Sequence, residues 1–237
     1  MPHSSKETLT MGWCDGGMVD GRFTEGLLGS SLSASSIGIN IVSRIRVNGN
    51  QIGRQRQVLF DNWADNLKTD WLLWIDSDIV LTPKVLKLLW DTADKNLKPI
   101  VAGLYFVSKE NENPLPEPIA SIFMETGNNY EIEMIQTIPT NKVLKVDLSG
   151  FGVVLMHKSI IPKLRLVSPE YSLFAEQEGL GKKYVSEDIV FFRNVKKADI
   201  PLYVHTGATV QHMKRFSFDV DYYNLYWQGL QTKIITK

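Results

Sequence analysis

Asp76-Ser77-Asp78 sets two carboxylates at i and i+2, directly after the apolar run Trp71–Ile75. An apolar run of this length without alternation reads as a strand buried on both faces. In open α/β sheets, ligands gather at the carboxyl ends of such strands. Two carboxylates there can share a hard divalent cation or its water shell, and the cation can neutralise a diphosphate. A polar turn before a helix would account for the same three residues, since D-x-D alone is common. Other residues in the chain could also do chemistry. Glu187 and Asp188 follow Ser186 at a predicted helix start, and His212 stands after a short predicted strand. Gly150 and Gly152 interrupt a strand-like stretch, and Cys14-Asp15-Gly16-Gly17 forms a turn-rich end to another.

These residues must be positioned by regular elements, and the patterning supplies them. Thr8–Trp13 reads as a first strand. Phe23–Leu32 has helical spacing, and Ile37–Val47 alternates with period two, as a strand does. Asn48-Gly49-Asn50 signals a turn, and Ile52–Leu67 carries the broad apolar face of a helix. Thr82-Pro83 matches an N-cap followed by proline in the first turn. That helix ends at Lys98-Pro99, before a second buried strand over Ile100–Val107. The order β-α-β-α-β-α-β predicts an α/β protein, a mainly parallel sheet flanked by helices. Residues 108–145 read as a long irregular excursion with a hairpin at Gly127-Asn128-Asn129, a loop length that is often functional. Strand character resumes over Val146–Met156. A helix is predicted over Glu187–Ala198, and short strands over Leu202–Val204 and Ala208–Val210. The aromatic tail Phe216–Trp227 is expected to pack back on the body.

The chain has 237 residues, 43% hydrophobic and 22% charged, which suits one large domain with a substantial core. Lys plus Arg and Asp plus Glu both number 26, so net charge is zero. Binding of nucleic acid through bulk positive charge is therefore not expected. Cys14 is the single cysteine, which excludes an intrachain disulfide and fits a reducing compartment. No apolar run is long enough to span a bilayer, and the N-terminus lacks the apolar segment of a secretion signal. The expectation is a cytoplasmic protein with no membrane span.

Six stretches, in order, resemble the GT-A fold nucleotide-sugar glycosyltransferases, above all the family 2-like group. They are Ile52–Gln57 (IGRQRQ), Trp71–Val80 (WLLWIDSDIV), Ile100–Phe106 (IVAGLYF), Val146–Met156 (VDLSGFGVVLM), Ser186–Phe192 (SEDIVFF) and Val210–His212 (VQH). The resemblance covers residues 8 to about 215 and implies one GT-A-like domain over 1–237. A nucleotide-binding half would span 8–107, and an acceptor-side half 108–237, with the excursion 108–145. It implies a hexosyltransferase-like enzyme that moves a sugar from a nucleoside-diphosphate sugar to a hydroxyl acceptor with inversion, using Mn²⁺ or Mg²⁺. Asp76 and Asp78 would be the D-x-D motif, with Asp78 the direct metal ligand and His212 completing the metal site. Arg56, or its neighbour Arg54, would face the nucleotide. Cys14, Asp15 and Gly16 would lie where the fold holds base and ribose, although the family has a proline-containing turn there. Ser77 would belong to the donor-binding turn, and Gly150 and Gly152 resemble the Gly-x-Gly next to the donor sugar. Asp188 would deprotonate the acceptor hydroxyl, and Glu187 would bind the acceptor. Both acids would otherwise serve to cap the helix.

Three other readings compete. Asp76-Ser77-Asp78-Ile79-Val80 fits the first motif of a haloacid-dehalogenase-type phosphatase, with Asp76 as nucleophile. That motif follows a domain's first strand, however, and here two strands and two helices precede it. A nucleotidyltransferase would need a basic signature loop after strand one, and Cys14–Asp20 has no basic residue. A domain of this fold could also bind a sugar nucleotide or glycan without turnover.

Overall fold

A computed structural model describes residues 7–109, 117–126, 131–168, 172–175, 177–178, 184–214, 220, 223–224 and 226–228. The first part alternates strands and helices: β1 (Thr8–Asp15), α1 (Gly21–Ser33), β2 (Asn40–Asn48), α2 (Ile52–Asp61), β3 (Trp71–Ile75), β4 (Ile79–Val80), α3 (Pro83–Thr92) and β5 (Ile100–Leu104). Then come β6 (Phe106–Lys109), β7 (Glu117–Ala120), β8 (Ile122–Thr126), β9 (Glu131–Met134), β10 (Val143–Val146), β11 (Leu148–Ser149) and β12 (Val153–His157). The remainder is α4 (Ile161–Val167), β13 (Gln177–Glu178), β14 (Tyr184–Val185), α5 (Glu187–Lys197), β15 (Leu202–Thr209) and β16 (Gln211–His212).

Seven strands form the central sheet in the order β10-β15-β5-β12-β3-β1-β2. β1, β2, β3, β5 and β15 run one way, while β10 and β12 run the other. The sheet is thus mostly parallel, with β12 inserted antiparallel between β3 and β5. Every residue of β3, β5 and β12 is buried. Alternation sends Leu72 and Trp74 of β3 into one core layer with Leu59 and Phe60 of α2 and Phe191 of α5. Trp71, Leu73 and Ile75 enter the opposite layer with Phe23 of α1 and Leu86 and Leu89 of α3. Two apolar layers explain why β3 shows no alternation in its sequence.

Several boundaries differ from expectation, each for a local reason. The Thr82 side chain caps α3 at Val85 N and Pro83 opens it, as the sequence implied. The helix nevertheless stops at Thr92, because Asp94 Oδ1 accepts from the amides of Asn96 and Leu97 and closes a turn. The stretch Ile100–Val107 is two strands. It breaks at Tyr105, where the chain leaves the central sheet to form the β6–β7 hairpin. The excursion is irregular over 135–142 but not throughout: β6–β7 and β8–β9 are antiparallel pairs. Thr126 faces Glu131 in the second pair, so the hairpin is as expected, while its turn at 127–130 lies outside the described residues. Leu202–Val204 and Ala208–Val210 are not two strands. β15 joins them and ends at Thr209, with a register shift between His205 and Thr209. The tail lies partly outside the described residues, and Val220, Tyr223, Tyr226 and Trp227 are exposed rather than packed on the body.

At the edge remote from the D-x-D turn, His157 ends β12. Its Nδ1 accepts from Ser159 N (3.1 Å), and its ring lies edge-on to Trp71 at 4.7 Å. Burial holds this imidazole down at about 4. A histidine neutral in the folded chain but free to protonate near ~6.5 when unfolded contributes stability that is complete above ~6.5. That contribution falls as pH falls, and is gone below about 4. His157→Gln keeps an acceptor for Ser159 but does not titrate. Urea unfolding between pH 7 and pH 4 should show wild-type protein losing about 2 kcal/mol more than the variant. Equal losses would show that His157 is not buried neutral.

Candidate active site

Asp76 and Asp78 flank the turn between β3 and β4, at the carboxyl end of the buried strand. The turn is closed by Ile79 N donating to Asp76 O (3.0 Å), and Asp76 N donates to Gly152 O (2.9 Å). Ser77 sits at its apex, half-buried. The two carboxylates diverge. Asp76 accepts from Arg56 Nη2 through Oδ1 (3.0 Å) and Oδ2 (3.2 Å). Asp78 Oδ2 meets His212 Nε2 and Lys214 Nζ, both at 3.0 Å. β16 carries His212 and pairs antiparallel with β4, opposing His212 to Ile79, which brings residues so distant in sequence together.

The His212 ring is fixed from both sides. Its Nδ1 lies 2.8 Å from the Phe106 carbonyl, which can only accept, so Nδ1 carries a proton. Nε2 therefore faces Asp78 with either a second proton or a lone pair. Burial disfavours the charged ring, but the hydrogen bonds to Asp78 and Phe106 outweigh it and raise the histidine above its ordinary range. A divalent cation between Nε2 and Oδ2 would replace that second proton. Imidazole nitrogen and carboxylate oxygen are donor types that Mn²⁺ and Mg²⁺ accept, and Lys214 Nζ, which shares Oδ2, would have to give way to such an ion. Among the described residues no group of three His, Cys, Asp or Glu side chains is placed to hold a metal. The expected convergence of Asp76, Asp78 and His212 is thus reduced to Asp78 and His212, because Arg56 turns Asp76 away.

Arg56 also reaches α5, where Nη1 donates to Glu187 Oε1 at 2.8 Å. Glu187 is buried, and burial raises its carboxyl more than Arg56 lowers it. Asp188, the next residue, is half-buried. Its Oδ1 accepts from Ser186 Oγ and from Ile189 N (2.8 Å), while Oδ2 has no hydrogen-bond partner among the described residues. The two acids are therefore not equivalent. One is tied into the interior, and the other presents a free oxygen on an anchored side chain.

Gly150 and Gly152 are needed for a neighbour that sequence reasoning overlooked. A Cβ on Gly150 would collide with the Tyr105 hydroxyl, and one on Gly152 would lie 2.6 Å from Tyr105 Cε1. The Tyr105 ring thus lies flat against this glycine-bearing segment, edge-on to the His212 ring at 5.2 Å. Burial raises its hydroxyl pKa, and the charges of Asp76 and Asp188 raise it further. Tyr105 therefore stands as a neutral hydroxyl between the two acidic elements. No signal in the sequence marks it, because Ile100–Val107 looked like a continuous strand.

The last two residues of β1, Cys14 and Asp15, have their side chains engaged within the protein. The Cys14 thiol is buried, and that burial pushes its pKa up to about 12. Asp15 is held down by hydrogen bonds from Arg46, which binds both oxygens (2.6 and 2.7 Å). Gly17 N and Trp13 Nε1 take up its remaining lone pairs. Neither side chain is open to a ligand. The exposed residues beyond this strand end begin at Gly16 and Gly17 and run on through Asp20. Arg54, the alternative to Arg56, lies on the exposed side of α2.

No protein-family model and no curated protein matches this sequence. Solved structures do match. GalNAc-T7, crystallised with UDP, GalNAc and Mn²⁺, superposes with a TM-score of 0.55 at 9% identity, over 89% of this chain and 44% of its own. The chain therefore spans less than half the length of GalNAc-T7. A glycosyltransferase involved in glycosylation of the major capsid of PBCV-1 gives 0.48 at 14% identity, covering 88% and 96% of the two chains. The inositol-1-phosphate CTP transferase of T. maritima gives 0.49 at 12%, covering 92% and 94%. The first of these carries the argument, and it concerns the fold: this chain has the GT-A fold, mixed α/β around a mostly parallel sheet.

Proposed function

We propose that this protein is a metal-dependent glycosyltransferase. It moves a sugar from a nucleoside-diphosphate donor to a hydroxyl acceptor, with inversion at the anomeric carbon, within one domain whose acceptor side is shaped by 108–145. The observation that carries this reading is that a single arginine, Arg56, bonds both the D-x-D turn and the start of α5. Arg56 ties the turn that carries Asp78 to the helix start that carries Asp188, which supports metal and acid–base roles at one end of the sheet. Asp78 and His212 would hold Mn²⁺ or Mg²⁺, which when bound supplies charge to the diphosphate as it departs. Ser77 and the Gly150–Gly152 segment border the donor, and exposed Gly16 leaves backbone for the base. Asp188, anchored through Oδ1, accepts the acceptor's proton at Oδ2 as the hydroxyl attacks. Glu187, held by Arg56, sets the position of its neighbour. UDP and Mn²⁺ in GalNAc-T7 support the same donor and metal class here.

The free Oδ2 of Asp188 and the proton-locked His212 favour turnover over mere binding. The assay is release of free nucleoside diphosphate from a panel of UDP-, GDP- and TDP-sugars. We expect release with Mn²⁺ or Mg²⁺ and none in excess EDTA. Full turnover in EDTA would overturn the metal role. Inorganic phosphate released from an aryl phosphate would establish the phosphatase instead. Among the described residues, no helix is long and apolar enough to cross a membrane.

A further inference from the structure

We infer that Arg56 is a positioning residue, which locks the D-x-D turn to the start of α5 and does not contact the nucleotide. The inference rests on the functional reading above and adds a role to the same site. The Arg56 side chain is 5% exposed, and both of its terminal nitrogens are engaged by carboxylates. Nη1 serves Glu187, Nη2 serves both oxygens of Asp76, and Cζ lies 4.7 Å above the Phe151 ring. Its Nε is buried with no hydrogen-bond partner among the described residues. A buried ion pair with an unpaired donor is a poor device for stability alone, since packed apolar residues do as well or better. What the guanidinium provides is geometry: a rigid planar fork that addresses two carboxylates at once.

The helix that carries Arg56 is itself clamped. Gln55 Nε2 donates to Asp15 O and Val47 O, both at 2.9 Å, which fixes α2 to the ends of β1 and β2. Gln57 Oε1 accepts from Ser172 Oγ (2.9 Å) and Leu173 N (2.8 Å), which fixes it to the segment before α5. Gly53 allows that segment to lie close, because a Cβ there would come within 2.5 Å of Phe174 O. From this fixed base, Arg56 spans the 20 residues to Asp76 and the 131 to Glu187. Asp188 follows Glu187 directly, so its placement over the acceptor depends on that span. Lysine has a single point charge and cannot form both arms of the fork.

The test uses the sugar nucleotide giving the fastest wild-type release, and binding of its nucleoside diphosphate with Mn²⁺ by calorimetry. Arg56→Lys should bind the diphosphate within about threefold of wild type. Its turnover should fall ten- to a hundredfold, the order of loss for a misplacement of ~1 Å. Glu187→Leu, which removes the acceptor of Arg56 Nη1, should behave alike, and the double variant should be no slower than the worse single, since both break one bridge. Diphosphate affinity falling in step with turnover would overturn the inference, because it would mean direct nucleotide contact. Turnover within threefold of wild type, or losses that multiply in the double variant, would overturn it too. If Arg56→Lys melts below assay temperature, Glu187→Leu carries the same comparison, since it keeps the Arg56–Asp76 contact. A wild-type protein with no turnover of any donor would overturn the functional reading and this role together. An active wild type with an unimpaired Arg56→Lys would overturn this role alone.

Discussion

Asp188→Asn should leave nucleoside-diphosphate affinity nearly unchanged and lower transfer by on the order of 10²–10⁴-fold, the usual worth of a general base. The geometry makes this a clean substitution. Asp188 Oδ1 accepts from Ser186 Oγ and Ile189 N, and an asparagine oxygen can accept both. The start of α5 should therefore stay in place, and only the basicity of the second atom is lost. A purely local role for Asp188 at the helix start predicts little loss of rate. Diphosphate affinity by calorimetry and initial transfer rate, measured on the same preparation, separate the two. A rate within a few-fold of wild type would pass the base role to Glu187. That residue would first have to give up Arg56 Nη1, which now holds its Oε1.

Asp78→Ala and His212→Ala should behave differently from Asp188→Asn, losing affinity and rate together. In the wild-type protein, Mn²⁺ should strengthen nucleoside-diphosphate binding. In either variant that enhancement should disappear, with turnover down by ~10²-fold or more, because the ion's charge on the diphosphate is lost. The prediction depends on the pairing of Asp78 Oδ2 with His212 Nε2 at 3.0 Å, and on Phe106 O, which keeps the proton on Nδ1. Calorimetric titration of the diphosphate with and without Mn²⁺ measures it directly. Undiminished Mn²⁺ enhancement in His212→Ala would mean that the imidazole serves only to pack against Tyr105. Asp76→Asn offers a useful contrast. Its carboxylate is committed to Arg56 rather than to His212. Its loss should therefore fall mainly on turnover, as for Arg56→Lys.

The local elements of this protein are written in its sequence. β3 spans the apolar run Trp71–Ile75, α3 begins at Thr82-Pro83, and α5 begins at Ser186-Glu187, all as residue patterns imply. Such signals act over a few residues: alternation, a capping hydroxyl, a proline in the first turn. The D-x-D turn, the acidic pair and His212 could be picked out for the same reason, as residue types at fixed spacings in a recognisable order. Their partners could not. Arg56 finds Glu187 across 131 residues, and His212 finds Asp78 across 134. Asp15 is withdrawn from any ligand by Arg46, which reaches it from the next strand of the sheet. Tyr105 became visible only once β12 had inserted between β3 and β5, bringing Gly150 and Gly152 beneath its ring. Side-chain type and spacing are properties of the chain. Which charge is neutralised, which oxygen stays free and which ring covers a glycine are decided by strand order and by long-range packing, and no local pattern encodes these.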